Sequence, residues 1–86
     1  MGNLSSRFES AAVAVKSLNQ RPDNETLLSL YAYYKQGSAG DVQGKRPGLF
    51  DLKGGAKYDA WERLRGMESE KAKQEYVDLV ERLTNV

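Results

Sequence analysis

Residues 23–52 read DNETLLSLYAYYKQGSAGDVQGKRPGLFDL, one helical stretch followed by one unusually long connection. Asp23 or Asn24, placed just after Pro22, can cap a helix on which Leu27, Leu30, Tyr31 and Tyr34 share a face. That helix is expected to end near Gly37. Residues 37–52 then carry Gly37, Gly40, Gly44 and the turn tripeptide Arg46, Pro47, Gly48, where proline presets φ and glycine accepts a positive one. Antiparallel bundle helices are usually joined by about two to eight residues. A connection of roughly fifteen predicts a crossover between the far ends of two helices, or a functional loop. Leu49, Phe50 and Leu52 are expected to pin it to the core.

Outward from this segment the chain reads as three further helices. Before it, Ser6 and Glu9 have capping-box spacing, and Phe8, Ala11, Ala12, Val15 and Leu18 recur at helical intervals up to the Asn19–Pro22 break. A helix over about 7–19 follows. After it, Gly54 and Gly55 precede a short helix in which Lys57, Ala60, Trp61 and Leu64 share a face, and Gly66 stops it. Ser69 is the expected cap of the last helix. Its Ala72, Tyr76, Leu79, Val80 and Leu83 form an apolar stripe, with an Asp78–Arg82 pair on the solvent side. Period and punctuation give four helical segments, with no internal repeat and no low-complexity tract, so the expected fold class is all-α, four helices around one core.

With 86 residues and 9.6 kDa, the expected organisation is a single domain over 1–86. The 40% hydrophobic and 29% charged content is that of a folding chain. A domain of this size buries only about 60–65% of its unfolded surface, which favours a groove over a deep enzyme cleft. Cysteine and histidine are both absent, which removes disulfides, thiolate chemistry, the commonest zinc ligands and the usual general base of hydrolases. A net charge of +1 is too balanced for tracking nucleic acid phosphates. The longest apolar run, Ala11–Val15, is far short of the roughly 20 residues that span a bilayer. Met1, Gly2 and Ser6 match the short pattern for N-myristoylation, which also recurs by accident.

Two clusters stand out chemically. At about 100° per residue, Tyr31, Tyr34 and Lys35 fall in one strip at the edge of an apolar face, while Tyr33 points away from Tyr31 and Lys35. Flat rings beside a mobile cation can stack a base and hold a phosphate. Equally, such tyrosines can simply border the core while Lys35 snorkels. The second cluster centres on Lys57, whose helical face otherwise holds Ala60, Trp61 and Leu64. Burying an unpaired ammonium is costly, so Lys57 must reach solvent, a carboxylate or an anion held in a groove. Lys53 adds a nearby cation. By contrast, Asp41, Asp51, Asp59 and Glu62 read as caps and surface charges, and no serine has a recognisable base partner. No catalytic residue and no metal ligand set is expected.

At Leu30–Gln36, LYAYYKQ, and Gly40–Trp61, GDVQGKRPGLFDLKGGAKYDAW, the chain resembles the acyl-CoA-binding protein family. Leu64, Gly66 and EYVDLVERL (75–83) extend the similarity across essentially the whole chain. The resemblance implies an up-down-down-up four-helix bundle with a long connection between helices two and three. It also implies a non-catalytic carrier of medium- to long-chain fatty acyl-CoA, one ligand per chain, with no cofactor. By motif position, Tyr31, Lys35 and Lys57 resemble the phosphate-binding set and Tyr34 the residue beside the adenine. Tyr76 resembles a further ligand contact, and Lys16 and Lys53 two additional basic contacts. Gly55 stands where many members have lysine, and Tyr58 where many have tryptophan. The accompanying expectations are a cytoplasmic monomer with no transmembrane segment and no nucleic acid partner, in transient contact with membranes or acyl-CoA-using enzymes. Rival readings are an interaction module presenting Tyr33, Tyr58 and the loop to a protein, and a thioesterase, which the missing histidine and cysteine disfavour.

Overall fold

The computed structural model describes residues 3–85. Met1 and Gly2, and with them the myristoylation pattern, lie outside the described residues. Four helices follow one another: α1 (Leu4–Ala14), α2 (Asn24–Ala39), α3 (Leu52–Glu62) and α4 (Ser69–Thr84).

Helix boundaries follow the strongest local caps, and several differ from the sequence expectation. Asn3, one turn before Ser6, accepts the Ser6 N–H at 2.8 Å on Oδ1, so α1 begins at Leu4 rather than near residue 7. The helix stops at Ala14. A single 3₁₀ turn over Val15–Ser17 follows, and Leu18 is extended, ahead of the expected end at 19. Asp23 caps α2 by accepting the Thr26 N–H at 2.8 Å. That helix runs past Gly37 to Ala39, because Gly37 is a packing residue and not a stop. A Cβ on Gly37 would lie 3.0 Å from Lys73 Cγ and 3.2 Å from Phe8 Cζ, where α1 and α4 close on α2. Asp51 caps α3 through the Gly54 N–H at 2.9 Å, which moves the start forward to Leu52 and takes both glycines into the helix. Leu64 falls in the turn after α3. Glu68, not Ser69, is the N-cap of α4, without a side-chain bond, while Ser69 Oγ donates to Gln36 O at 3.5 Å. Asp78 accepts from Gln74 Nε2 at 2.8 Å instead of pairing with Arg82.

Residue pairs give the direction of each helix. Phe8 meets Tyr34, and Val15 lies near Leu30, so α1 and α2 run oppositely. Tyr31 faces Lys57 and Lys35 faces Trp61, so α2 and α3 run in the same direction. Ser5 reaches Lys73, and Ala14 lies near Thr84, so α4 is parallel to α1. The bundle is therefore up-down-down-up, and the long connection carries the chain back along the length of α2. Phe8, Ala11, Leu30, Tyr76, Val77 and Val80 form the core between α1, α2 and α4. Helix α3 packs mainly on α2, and the molecule is flat, 43 × 29 × 15 Å.

The crossover is fastened by polar bonds and one valine rather than by the residues expected to do so. Leu49, Phe50 and Leu52 are 83, 102 and 79% exposed. The Asp51 N–H donates to Gly48 O at 3.0 Å, and this tight turn places Leu49 and Phe50 at its outward corner. Val42 is buried in their place. The Tyr58 hydroxyl donates to Gly44 O at 3.1 Å, and Arg46 makes a two-pronged pair with Asp59 at 2.9 and 3.0 Å. Gly55 makes room for that pair, since a Cβ there would meet the Arg46 guanidinium at 2.8 Å.

Candidate functional site

Parallel packing of α2 on α3 sets two lysines over two rings in matched register. Lys57 Nζ lies 5.3 Å from the centroid of Tyr31, and Lys35 Nζ lies 5.0 Å from that of Trp61. Residues four apart on a helix fall on one face, so the two contacts repeat one turn further along both helices. Ion pairs among the described residues include neither Lys35 nor Lys57. Each ammonium is held by a ring quadrupole, an attraction worth about 0.5–1 kcal/mol at exposed sites, far weaker than a charge-assisted bond to an anion. The positive charge stays available.

Two hollows adjoin this pair and share Tyr31. One, of about 280 Å³, is lined by Ala12, Val15, Lys16, Leu30, Tyr31, Tyr34 and Tyr76. The other, of about 490 Å³, is lined by Leu27, Leu28, Tyr31, Leu52, Lys53, Ala56 and Lys57, together with Arg21 and Asn24. Of the seven residues proposed from sequence, Lys16, Tyr31, Tyr34 and Tyr76 thus meet in the first hollow and Tyr31, Lys53 and Lys57 in the second. Lys35 lines neither; it lies one turn along α2 from Tyr31, over Trp61. A third hollow, of about 400 Å³ on another face of α2, includes Leu28, Tyr33 and Arg63 and none of the seven.

The aromatic residues are braced from below. Phe8 stacks on Tyr34 with centroids 5.2 Å apart and planes at 20°. Tyr76 meets both Phe8 and Tyr34 edge-on, at 5.2 and 5.7 Å. One face of Tyr34 is therefore stacked on Phe8, and the residue stays 41% exposed. Tyr76 is buried, and that burial, with Tyr34 beside it, pushes its hydroxyl above the ordinary tyrosine value. It stays a neutral donor at physiological pH.

The far end of α2 is locked by Gln36, which is 0% exposed. Its Nε2 donates to Asp41 Oδ1 at 2.8 Å and Met67 O at 2.9 Å, and its Oε1 accepts from Trp61 Nε1 at 3.1 Å. Trp61 Nε1 also donates to Gly40 O at 2.8 Å. The indole under Lys35 is thereby fixed in position. Asp41 accepts the Gly66 N–H as well, and that bond, with the one from Gln36 and the charge of Arg65, holds its carboxyl below the ordinary aspartate value. Sequence reading placed Trp61 on an apolar face and Phe8 on a core stripe, and missed both as supports of the rim. The signal was their spacing: Trp61 is four residues from Lys57, and Lys35 four from Tyr31.

The features offered to a protein partner by the rival reading are partly committed. Tyr33 packs against the core, and the Tyr58 hydroxyl holds Gly44. Among the described residues no helix is long and apolar enough to cross a membrane, and no cluster of acidic side chains has the makeup of a metal site.

The sequence profile of the family described as Acyl CoA binding protein matches residues 5–80. An acyl-CoA-binding protein homolog of Drosophila melanogaster is 50% identical over 80 residues, covering 93% of this chain and 93% of its own length. The crystal structure of Oryza sativa Acyl-CoA-Binding Protein 2 superposes with a TM-score of 0.91 at 39% identity, over 95% of this chain and 89% of that one. The solution structure of the acyl coenzyme A binding protein from yeast superposes with a TM-score of 0.74 at 44% identity, over 92% of each chain. With the profile spanning most of the sequence and the bundle reproduced, this chain belongs to the acyl-CoA-binding protein family.

Proposed function

We propose that the chain is a non-catalytic, single-domain carrier that binds medium- to long-chain fatty acyl-CoA thioesters. The observation that carries this reading is the matched pair of lysines, each resting on a ring and, among the described residues, without a carboxylate partner, with Tyr31 and Lys57 lining hollows with apolar walls. Phosphate on the nucleotide end exchanges a weak ring contact for charge-assisted bonds from Lys35 and Lys57. Lys16 and Lys53 add further positive charge, and the exposed part of Tyr34 lies against the adenine. Tyr31 and Tyr76 offer hydroxyls and ring edges between the two hollows. The acyl chain lies along Leu27, Leu28 and Ala56, out of water.

No bond is made or broken in this scheme, and no cofactor is called for. The chain has no histidine or cysteine to act as base or nucleophile toward the thioester. It acts as a monomer in the cytoplasm, meeting membranes or acyl-CoA-using enzymes only in passing.

Burial of an acyl chain contributes about 0.8 kcal/mol per enclosed CH₂, so affinity should climb with chain length. A dozen methylenes represent on the order of 10 kcal/mol before ordering costs. Titration calorimetry with free CoA, a medium-chain and a long-chain acyl-CoA measures this directly. Affinity is expected to rise steeply along the series, with free fatty acid binding poorly. Equal affinity for free CoA and the long-chain thioester would end the carrier reading.

A further inference from the structure

The turn that leads the crossover into α3 spends its two largest apolar side chains on solvent. Leu49 and Phe50 are 83 and 102% exposed at the corner of the Gly48–Asp51 turn, and Leu52, in the first turn of α3, is 79% exposed. The flanking charge is almost all positive. Between Val42 and Tyr58 the chain carries Lys45, Arg46, Lys53 and Lys57 against Asp51 alone. Arg46 is paired with Asp59, and the Asp51 carboxylate accepts the Gly54 N–H. Lys45, Lys53 and Lys57 are exposed and enter none of the ion pairs among the described residues.

We propose that this turn is a membrane-insertion tip: Leu49 and Phe50 enter the boundary between headgroups and acyl chains of an anionic bilayer, while Lys45 and Lys53 contact its headgroups. Two protruding side chains between a glycine and an aspartate make a convex point. Stable protein interfaces need about 800 Å² per partner over a complementary surface, whereas a bilayer accepts isolated apolar side chains flanked by cations. Position supports the same occupant. Leu52 belongs both to the exposed turn region and to the wall of the 490 Å³ hollow, so a chain drawn from the bilayer beside the tip enters the hollow with little exposure to water. The inference extends the carrier reading, and its first test contains no acyl-CoA, so the two fail separately.

The ligand-free full chain is sedimented with vesicles of phosphatidylcholine alone and of phosphatidylcholine with phosphatidylserine. Binding is expected to the anionic vesicles and to be weak on the neutral ones. Phe50→Asp and Leu49→Asp are each expected to weaken it about tenfold or more, and Lys45→Gln about fivefold. Val13→Asp, at an exposed apolar position on α1, is expected to leave it unchanged. Circular dichroism checks that each variant keeps its helices. No sedimentation with either vesicle, or undiminished binding by Phe50→Asp, overturns the proposal. So does loss of self-association by Phe50→Asp without vesicle binding, which would make the tip a protein contact. Calorimetry supplies the last arm: if Phe50→Asp weakens long-chain acyl-CoA binding and not vesicle binding, the tip covers the ligand and the proposal is wrong.

Discussion

Lys35 and Lys57 are placed by their rings, and those rings make binding measurable. Lys35→Ala or Lys57→Ala is expected to weaken long-chain acyl-CoA binding by about 1–3 kcal/mol with the fold intact, as calorimetry and circular dichroism will read. Trp61 is the only tryptophan, so its emission should change when Lys35 leaves the indole for a phosphate. The change should vanish in Lys35→Ala. Wild-type affinity in both variants would remove the phosphate assignment. The pH response has two separate regions. Asp59 is held below the ordinary aspartate value by its bonds to Arg46, Asp41 by Gly66 and Gln36, and Asp23 by the Thr26 hydroxyl and N–H. Stability from these three is complete well above the unfolded value of about 3.9 and is lost as pH falls from there through the lowered folded values. Urea midpoints measured from pH 6 down to pH 2 should fall in that region. With no histidine or cysteine, a pH dependence of binding between 5 and 8 is expected to follow the second ionisation of the ligand phosphate, near about 6.

At the scale of elements, sequence patterning located all four helices, because each has an apolar stripe and a polar stop. The α4 stripe shows why this works: Ala72, Tyr76 and Val80 are buried as their spacing requires. Boundaries were harder. Ser6 and Ser69 looked like caps, but Asn3 and Glu68 hold those positions, and which end residue caps a helix depends on where neighbouring helices let the backbone turn. Gly37 shows the same limit, reading locally as a stop when its role is set by Phe8 and Lys73 on other helices. Gly37→Val is therefore expected to cost about 1–3 kcal/mol through overpacking, measured as a lower urea midpoint. Unchanged stability would mean that α1 and α4 can move apart there. At Gly55, lysine would displace Arg46 from its seat beside Asp59. Gly55→Lys should speed amide hydrogen exchange in the crossover and leave exchange in the α4 core unchanged.

Across the whole molecule, the sequence carried the grouping of Tyr31, Tyr34, Lys35 and Lys57 further than it carried the path of the loop. Tyr31, Tyr34 and Lys35 lie on one helix, so their strip followed from the helical period alone. Lys57 joins them only because α2 and α3 are parallel, which the long connection hinted at and the family resemblance supplied. The pairing of Lys35 with Trp61 needed the actual register. Leu49 and Phe50 went the other way: hydrophobicity suggested anchors, and the tight Gly48–Asp51 turn pointed them outward. The flat bundle, with α3 packed mainly on α2, brings the Lys57–Tyr31 contact, the 490 Å³ hollow and Leu52 of the exposed turn region together.

A liganded structure tests this arrangement most directly. Crystals of the chain with a long-chain acyl-CoA should show the ammonium groups of Lys35 and Lys57 both reaching the nucleotide phosphate, directly or through one water, with the acyl chain along Leu27 and Ala56. A nucleotide bound away from α2 and α3, or two amines too far apart to share that anion, would contradict the account.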